Sequence, residues 1–177
     1  YNAEGKLTRS ESDFNNDGTL DYISTYNTDG RVTRSESDTN NDGTLDQIIL
    51  YIYDVKGNLL KSGSDNNNDG IIDGGSSNTY DVNSRLIRSE IDNNNDGTID
   101  SVYTYTYHEN GTRAREEQDS KNDGTPDYIS IYNTEGKLTR SEIDTNNDGT
   151  PDYISIYNTE GKLIKSESDT NNDGTID

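Results

Sequence analysis

The chain has 177 residues, only 25% of them hydrophobic, a formal charge of −20 and no cysteine. A composition this polar favours disorder unless something other than apolar burial offsets the entropy of ordering. It also excludes disulfides, thiolate metal sites and a membrane-spanning apolar run, and its acidity opposes nucleic-acid binding.

The first recognisable element is a turn, "YNAEGKL" at 1–7, and it recurs at 26–32, 53–59, 80–86, 107–113, 132–138 and 157–163. Asn and Gly suit a tight reversal, because Gly takes positive φ without steric cost. A strand-like segment follows each turn, as in "KLTRSEI" at 137–143. An acidic nine-residue loop comes next, and from each turn tyrosine to the first loop aspartate is always 12 residues (Tyr26 to Asp38, Tyr80 to Asp92). The repeat closes with a β-branched and aromatic segment such as "QIILYIY" at 47–53 or "YISIY" at 153–157, as strands prefer.

Only that last segment varies in length. Its tyrosine lies 5 or 7 residues after the last loop aspartate, so the repeat is 25 or 27 residues long. An insertion of two preserves every inward and outward assignment in a strand. In a helix it would turn the face by roughly 200°. Each repeat therefore reads strand, turn, strand, acidic loop. Glycine-rich "GGSSNT" at 74–79 occupies a strand position without apolar side chains and is expected to be a flexible joint.

Alternation puts Tyr153, Ser155 and Tyr157 on one face and Ile154 and Ile156 on the other. A basic residue stands four before every loop (Arg9, Arg34, Lys61, Arg88, Arg115, Arg140, Lys165). A glutamate stands two before six of them, and Gly63 breaks the series. Residues two apart share a face, so the pattern predicts either a charge ladder between repeats or a solvated face that discourages edge pairing.

The loops carry the chemistry. Positions 1, 5 and 9 are always Asp and position 6 is always Gly. Position 3 is Asn except for Lys121 in the fifth loop. This resembles the D-x-[DN]-x-D-G-x-x-D calcium loop of dockerins, thrombospondin type 3 repeats and integrin α-subunits. Ca²⁺ takes six to eight oxygens in a flexible shell, which side chains at 1, 3, 5 and 9 and the carbonyl at 7 can supply around a glycine turn. The expected ligands are Asp13, Asn15, Asp17, Thr19 and Asp21 in the first loop, and Asp38, Asn40, Asp42, Thr44 and Asp46 in the second. The third offers Asp65, Asn67, Asp69, Ile71 and Asp73; the fourth Asp92, Asn94, Asp96, Thr98 and Asp100. The fifth offers Asp119, Asp123, Thr125 and Asp127; the sixth Asp144, Asn146, Asp148, Thr150 and Asp152. The seventh offers Asp169, Asn171, Asp173, Thr175 and Asp177. No bidentate glutamate stands at position 12, so the expected affinity is on the order of 10⁻⁵ to 10⁻³ M, with about six to seven ions bound. Lys121 either weakens the fifth site or partly substitutes for the ion.

Charge bookkeeping agrees with this reading. Seven loops of three aspartates hold 21 of the 35 acidic residues, and the other 14 face 15 basic ones. The acidity is thus confined to the loops.

The turn motif, as in "YNTEGKLTRSE" at 132–142, "YDVKGNL" at 53–59 and "YDVNSRL" at 80–86, resembles the YD repeat of the RHS family. The resemblance implies successive β-hairpins winding into a strip or shell. The acidic loop between strands departs from ordinary YD repeats.

The expected fold is all-β: an elongated, twisted array of seven antiparallel hairpin repeats over 1–177, with Ca²⁺ loops along one edge. A parallel β-solenoid is the alternative. The expected function is non-enzymatic, since the lone His108 sits in a turn: a calcium-rigidified fibre, stalk or spacer, extracellular or on a bacterial cell surface. The start in a turn and the end on Asp177 suggest a piece of a longer array or a protomer that self-associates head to tail into a filament. A calcium-dependent adhesin contacting glycans or a cell surface is the second expectation, and a fragment of an RHS-type shell the third. No nucleic-acid partner is expected.

Overall fold

The computed structural model describes residues 1–171 and 173–177. Thirteen strands follow in order: β1 (Arg9–Ser12), β2 (Tyr22–Tyr26), β3 (Val32–Ser37), β4 (Gln47–Tyr53), β5 (Leu59–Asp65), β6 (Gly74–Tyr80), β7 (Leu86–Asp92), β8 (Ser101–Tyr107), β9 (Arg113–Asp119), β10 (Tyr128–Tyr132), β11 (Leu138–Ile143), β12 (Tyr153–Tyr157) and β13 (Leu163–Ser168). Strand order in the sheet is chain order, so the topology is an open antiparallel meander of hairpins. A parallel solenoid is thereby set aside. The chain forms two compact units, Tyr1–Asn78 with Ile91–Thr98 and Thr79–Glu90 with Ile99–Asp177.

Register explains how so polar a chain packs. In the first unit Ile23 stands between Glu11 and Glu36, and Thr25 between Arg9 and Arg34. In the second, Ile154 stands between Glu142 and Glu167, and Ile156 between Arg140 and Lys165. One face thus alternates apolar strands with charged ones. The aliphatic stems of Arg and Lys can lie over the isoleucines while their heads reach water. Only Ile23, Val102 and Ile154 are buried hydrophobics among the described residues. On the opposite face small serines form the middle row, and Ser24, Ser35, Ser130 and Ser141 are buried.

In six strands the basic residue pairs with the glutamate of its own strand. Arg9 meets Glu11 at 2.6 Å, Arg34 Glu36 at 2.8 Å, Arg88 Glu90 at 2.9 Å, Arg115 Glu117 at 2.7 Å and Lys165 Glu167 at 2.6 Å; Arg140 also pairs with Glu142. The ladder between repeats is therefore replaced by pairs two residues apart, because an apolar strand separates successive charged strands. Where Gly63 breaks the series, Leu50 and Ile52 remain exposed.

Apart from the fifth, where His108 takes the capping position, the tyrosine turns are Asx-capped reversals, and five of the hairpins carry a register shift beside the turn. In the second turn the Asn27 side-chain oxygen accepts the amides of Asp29 (3.0 Å) and Arg31 (2.9 Å). Gly30 takes φ 82° there, and the register skips Thr33. The glycine-rich segment is strand β6, laddered to β5 from Lys61↔Ser77 to Ser64↔Gly74. Its glycines meet close backbone: a Cβ on Gly75 would lie 2.4 Å from the Ser62 carbonyl oxygen, and one on Gly74 2.5 Å from that of Asn93.

Candidate metal centres in the acidic loops

Each of the first six acidic loops joins the end of one hairpin to the start of the next, and its backbone curls through two left-handed residues. One is the glycine at position 6. The other is the asparagine at position 4, with φ between 52° and 61° at Asn16, Asn41, Asn68, Asn95, Asn122 and Asn147. Asn tolerates this region better than other residues with a side chain. Asn occupies position 4 in all seven loops, a signal in the sequence that points to no ligand role.

The carboxylates organise the curl by accepting backbone amides. In all seven loops the glycine amide donates to Oδ2 of the first aspartate, at 2.9, 2.8, 2.9, 3.0, 2.9, 2.8 and 2.7 Å in chain order. The amide at position 7 donates to Oδ1 of the central aspartate, as at Thr19–Asp17 (2.8 Å) and Ile71–Asp69 (2.8 Å). The asparagine at position 3 accepts the central aspartate's amide, as at Asp17–Asn15 (2.9 Å) and Asp148–Asn146 (2.9 Å). Position 9 closes the loop by accepting the amide of position 2, as at Thr39–Asp46 (2.9 Å) and Thr170–Asp177 (3.0 Å).

These bonds leave particular oxygens over. In the first loop Oδ1 of Asp13 and Oδ1 of Asp21 are buried with no hydrogen-bond partner, and so is Oδ1 of Asp92 in the fourth. Asp21 is only 5% exposed. Buried aspartates recur at the loop boundaries, at Asp21, Asp38, Asp65, Asp144, Asp152 and Asp169. Among the described residues, Asp13, Asp21, Asp38, Asp65 and Asp144 make no ion pair with Lys or Arg. Burying an anionic oxygen without a partner is costly, and buried charges are normally paired or bound to metal.

The carboxylates are also held in the ligating form. Donation from the Thr19 hydroxyl, then its amide, holds Asp17 below the usual carboxylate range, and Thr44, Thr150 and Thr175 do the same for Asp42, Asp148 and Asp173. A deprotonated carboxylate is what a hard cation requires.

The sequence-predicted ligands of each loop are gathered on one curl, but not in a closed shell. Among the described residues no group of three or more acidic or histidine side chains converges tightly enough to hold a metal alone. The position 3 amide explains part of this. In the first loop the Asn15 side-chain nitrogen donates to Asp17 at 2.9 Å, and the equivalent contact recurs in the third, fourth, sixth and seventh loops. A bound ion would have to displace that contact and turn the amide oxygen inward. The donor set therefore fits a hard divalent cation in chemistry and order, with a modest rearrangement on binding.

The fifth loop differs as its sequence implies. Lys121 has no side-chain oxygen, so the Asp123 amide keeps only the bond to Asp119 at 3.2 Å, which the second, third and seventh loops make in addition to the bond to asparagine. The Lys121 ammonium makes no ion pair among the described residues, and its backbone amide donates to Asp119 at 3.3 Å. His108 lies at the far end of the strands, where Nε2 is 2.9 Å from the Tyr132 carbonyl oxygen.

No family model matches the chain. No curated protein sequence matches it either. Among solved structures it is similar to a crystal structure of TcdB2-TccC3-Cdc42, with 16% identity and a TM-score of 0.46 over 85% of this chain and 10% of that one. The Photorhabdus luminescens Tc holotoxin pore gives 16% identity and a TM-score of 0.41 over 86% of this chain and 10% of that one. A porin-like protein from Bacteroides uniformis gives 11% identity and a TM-score of 0.35 over 88% and 86%. This chain spans about a tenth of the length of the first two.

Proposed function

We propose that the chain is a calcium-braced structural repeat array in which each acidic loop clamps the junction between successive hairpins. The observation that carries this reading is the pair of buried, unpartnered oxygens on Asp13 and Asp21, the opening and closing residues of one loop. The near absence of an apolar core supports it further. With three buried hydrophobic side chains, the sheet needs another source of stability, and an ion that binds only the folded loop supplies one. Residues at 1, 3, 5 and 9 would hold Ca²⁺ through side-chain oxygens and residue 7 through its carbonyl, with water completing the shell. In this reading the array is an extracellular spacer, stalk or fibre element with no catalytic role.

The test is calorimetric titration of the chelated chain with Ca²⁺, followed in parallel by circular dichroism. About six ions should bind at affinities on the order of 10⁻⁵ to 10⁻³ M, with a gain in β-sheet signal or in thermal midpoint. A stoichiometry near zero would remove the calcium reading. Glycan binding lost on chelation would instead favour the adhesin.

A further inference from the structure

The loops contact one another, and the contact depends on repeat length. At the three junctions spaced by 25 residues, the backbone N–H of one loop's first aspartate donates to the carbonyl of the preceding loop's last. Asp38 donates to Asp21 at 2.9 Å, Asp144 to Asp127 at 2.9 Å and Asp169 to Asp152 at 2.8 Å. The same junctions stack position 7 of one loop on the glycine of the next. A Cβ on Gly43 would lie 3.2 Å from Thr19, one on Gly149 3.9 Å from Thr125, and one on Gly174 3.5 Å from Thr150.

A repeat of 27 residues breaks this arrangement. The first aspartate of the next loop then enters the strand ladder, as Ile48↔Asp65 and Val102↔Asp119. The next loop is displaced by two residues, about 7 Å along the strand. A side-chain link takes over: Asn68 donates to the Leu45 carbonyl at 2.7 Å and Asn122 to that of Ile99 at 3.0 Å.

Resting on the calcium reading above, we infer that ion binding is cooperative within loops one and two and within loops five to seven, and that the two-residue insertion marks where coupling stops. Asp21 illustrates the mechanism. Its carboxylate carries a buried oxygen that an ion in loop one would draw in, and its carbonyl holds Asp38, which opens loop two. Filling one loop fixes the backbone that begins the next, so the second ion meets a loop whose ordering cost is already partly met. Filling also lowers the anionic charge that draws the second ion, which opposes the coupling. At physiological ionic strength that opposition is screened over about 8 Å, whereas the hydrogen bond acts by direct contact. Asn147 also reaches the preceding loop, its side-chain nitrogen donating to Asp123, but position 4 side chains make such links across the 27-residue spacings too, so the backbone bond alone sets the 25-residue junctions apart.

The experiment uses the full chain, Ca²⁺ and two variants crippled at position 5. Asp173→Ala disables the seventh loop, whose Asp169 is bonded to loop six, and Asp69→Ala disables the third, which lies between 27-residue spacings. Calorimetry should show Asp69→Ala losing one ion with the remaining affinities unchanged. Asp173→Ala should lose one ion and also weaken other sites by about fivefold or more. Equal residual affinities in both variants would overturn the coupling while leaving calcium binding intact. Failure of the unmodified chain to bind Ca²⁺ would overturn both. Inserting two residues into β12 gives a second arm: it should keep the stoichiometry and flatten the binding curve, and an unchanged slope would count against the coupling.

Discussion

Ser84 takes φ 62° at the turn position that glycine fills at Gly5, Gly30, Gly57, Gly111, Gly136 and Gly161. A non-glycine residue there costs about 1–2 kcal/mol, partly offset because a serine loses less chain entropy on folding than a glycine. The amide it contributes, donating to the Asp81 carbonyl at 3.0 Å, is a backbone group and survives substitution. Ser84→Gly should therefore stabilise the folded chain by about 0.5–1 kcal/mol, read as a rise in thermal midpoint at constant calcium. A lower midpoint would mean the serine side chain contributes more than its backbone strain costs. The exception was visible in the sequence, since "YDVNSRL" breaks a glycine series. The asparagine at loop position 4 was equally invariant but hidden in meaning, because its role is a backbone angle and a reach toward a neighbouring loop.

Strands and hairpins were the most legible level, and for a physical reason. An insertion of two residues is silent in a strand, so the 25- and 27-residue repeats fixed the secondary structure and the faces together. Which loops are joined by a backbone hydrogen bond was not legible. That depends on whether the next loop's first aspartate falls inside the ladder, as Asp65 does, or at its end, as Asp38 does. The ion pairing was only half readable: alternation put Arg34 and Glu36 on one face, but the intervening β2 and β4 decide that they pair with each other. The lack of apolar side chains in 74–79 says nothing of its pairing: the segment is laddered to β5 as strand β6, and its glycines permit close backbone approach, which sequence cannot reveal. Gly75→Ala should destabilise the chain by about 1–3 kcal/mol, because the new Cβ meets the Ser62 carbonyl at 2.4 Å inside a hydrogen-bonded ladder. Urea unfolding with calcium present would measure this, and a neutral effect would show that β5 and β6 can part without loss.

On the calcium reading proposed above, charge and ion binding would act on the same balance over the whole molecule. The loops carry −21 and the rest of the chain +1, so the chelated protein folds against the repulsion of clustered aspartates. Seven divalent ions would bring −20 to −6, that is −20 plus 14. Monovalent salt offers a way to separate this repulsion from specific ligation. Raising ionic strength from about 0.01 M to about 0.15 M shortens the screening length from about 30 Å to about 8 Å. The chelated chain should gain stability across that range, because its like charges recur at every loop. A gain of about 1 kcal/mol would appear as a rise of about 2–4 °C in the thermal midpoint. The calcium-loaded chain should gain much less, or lose slightly as salt competes with the ions. If both forms respond equally, any stabilisation by calcium does not come from relieving loop repulsion. The clamp would then have to stabilise through ligand geometry alone, and neutralising one aspartate per loop would leave the stability of the chelated chain unchanged.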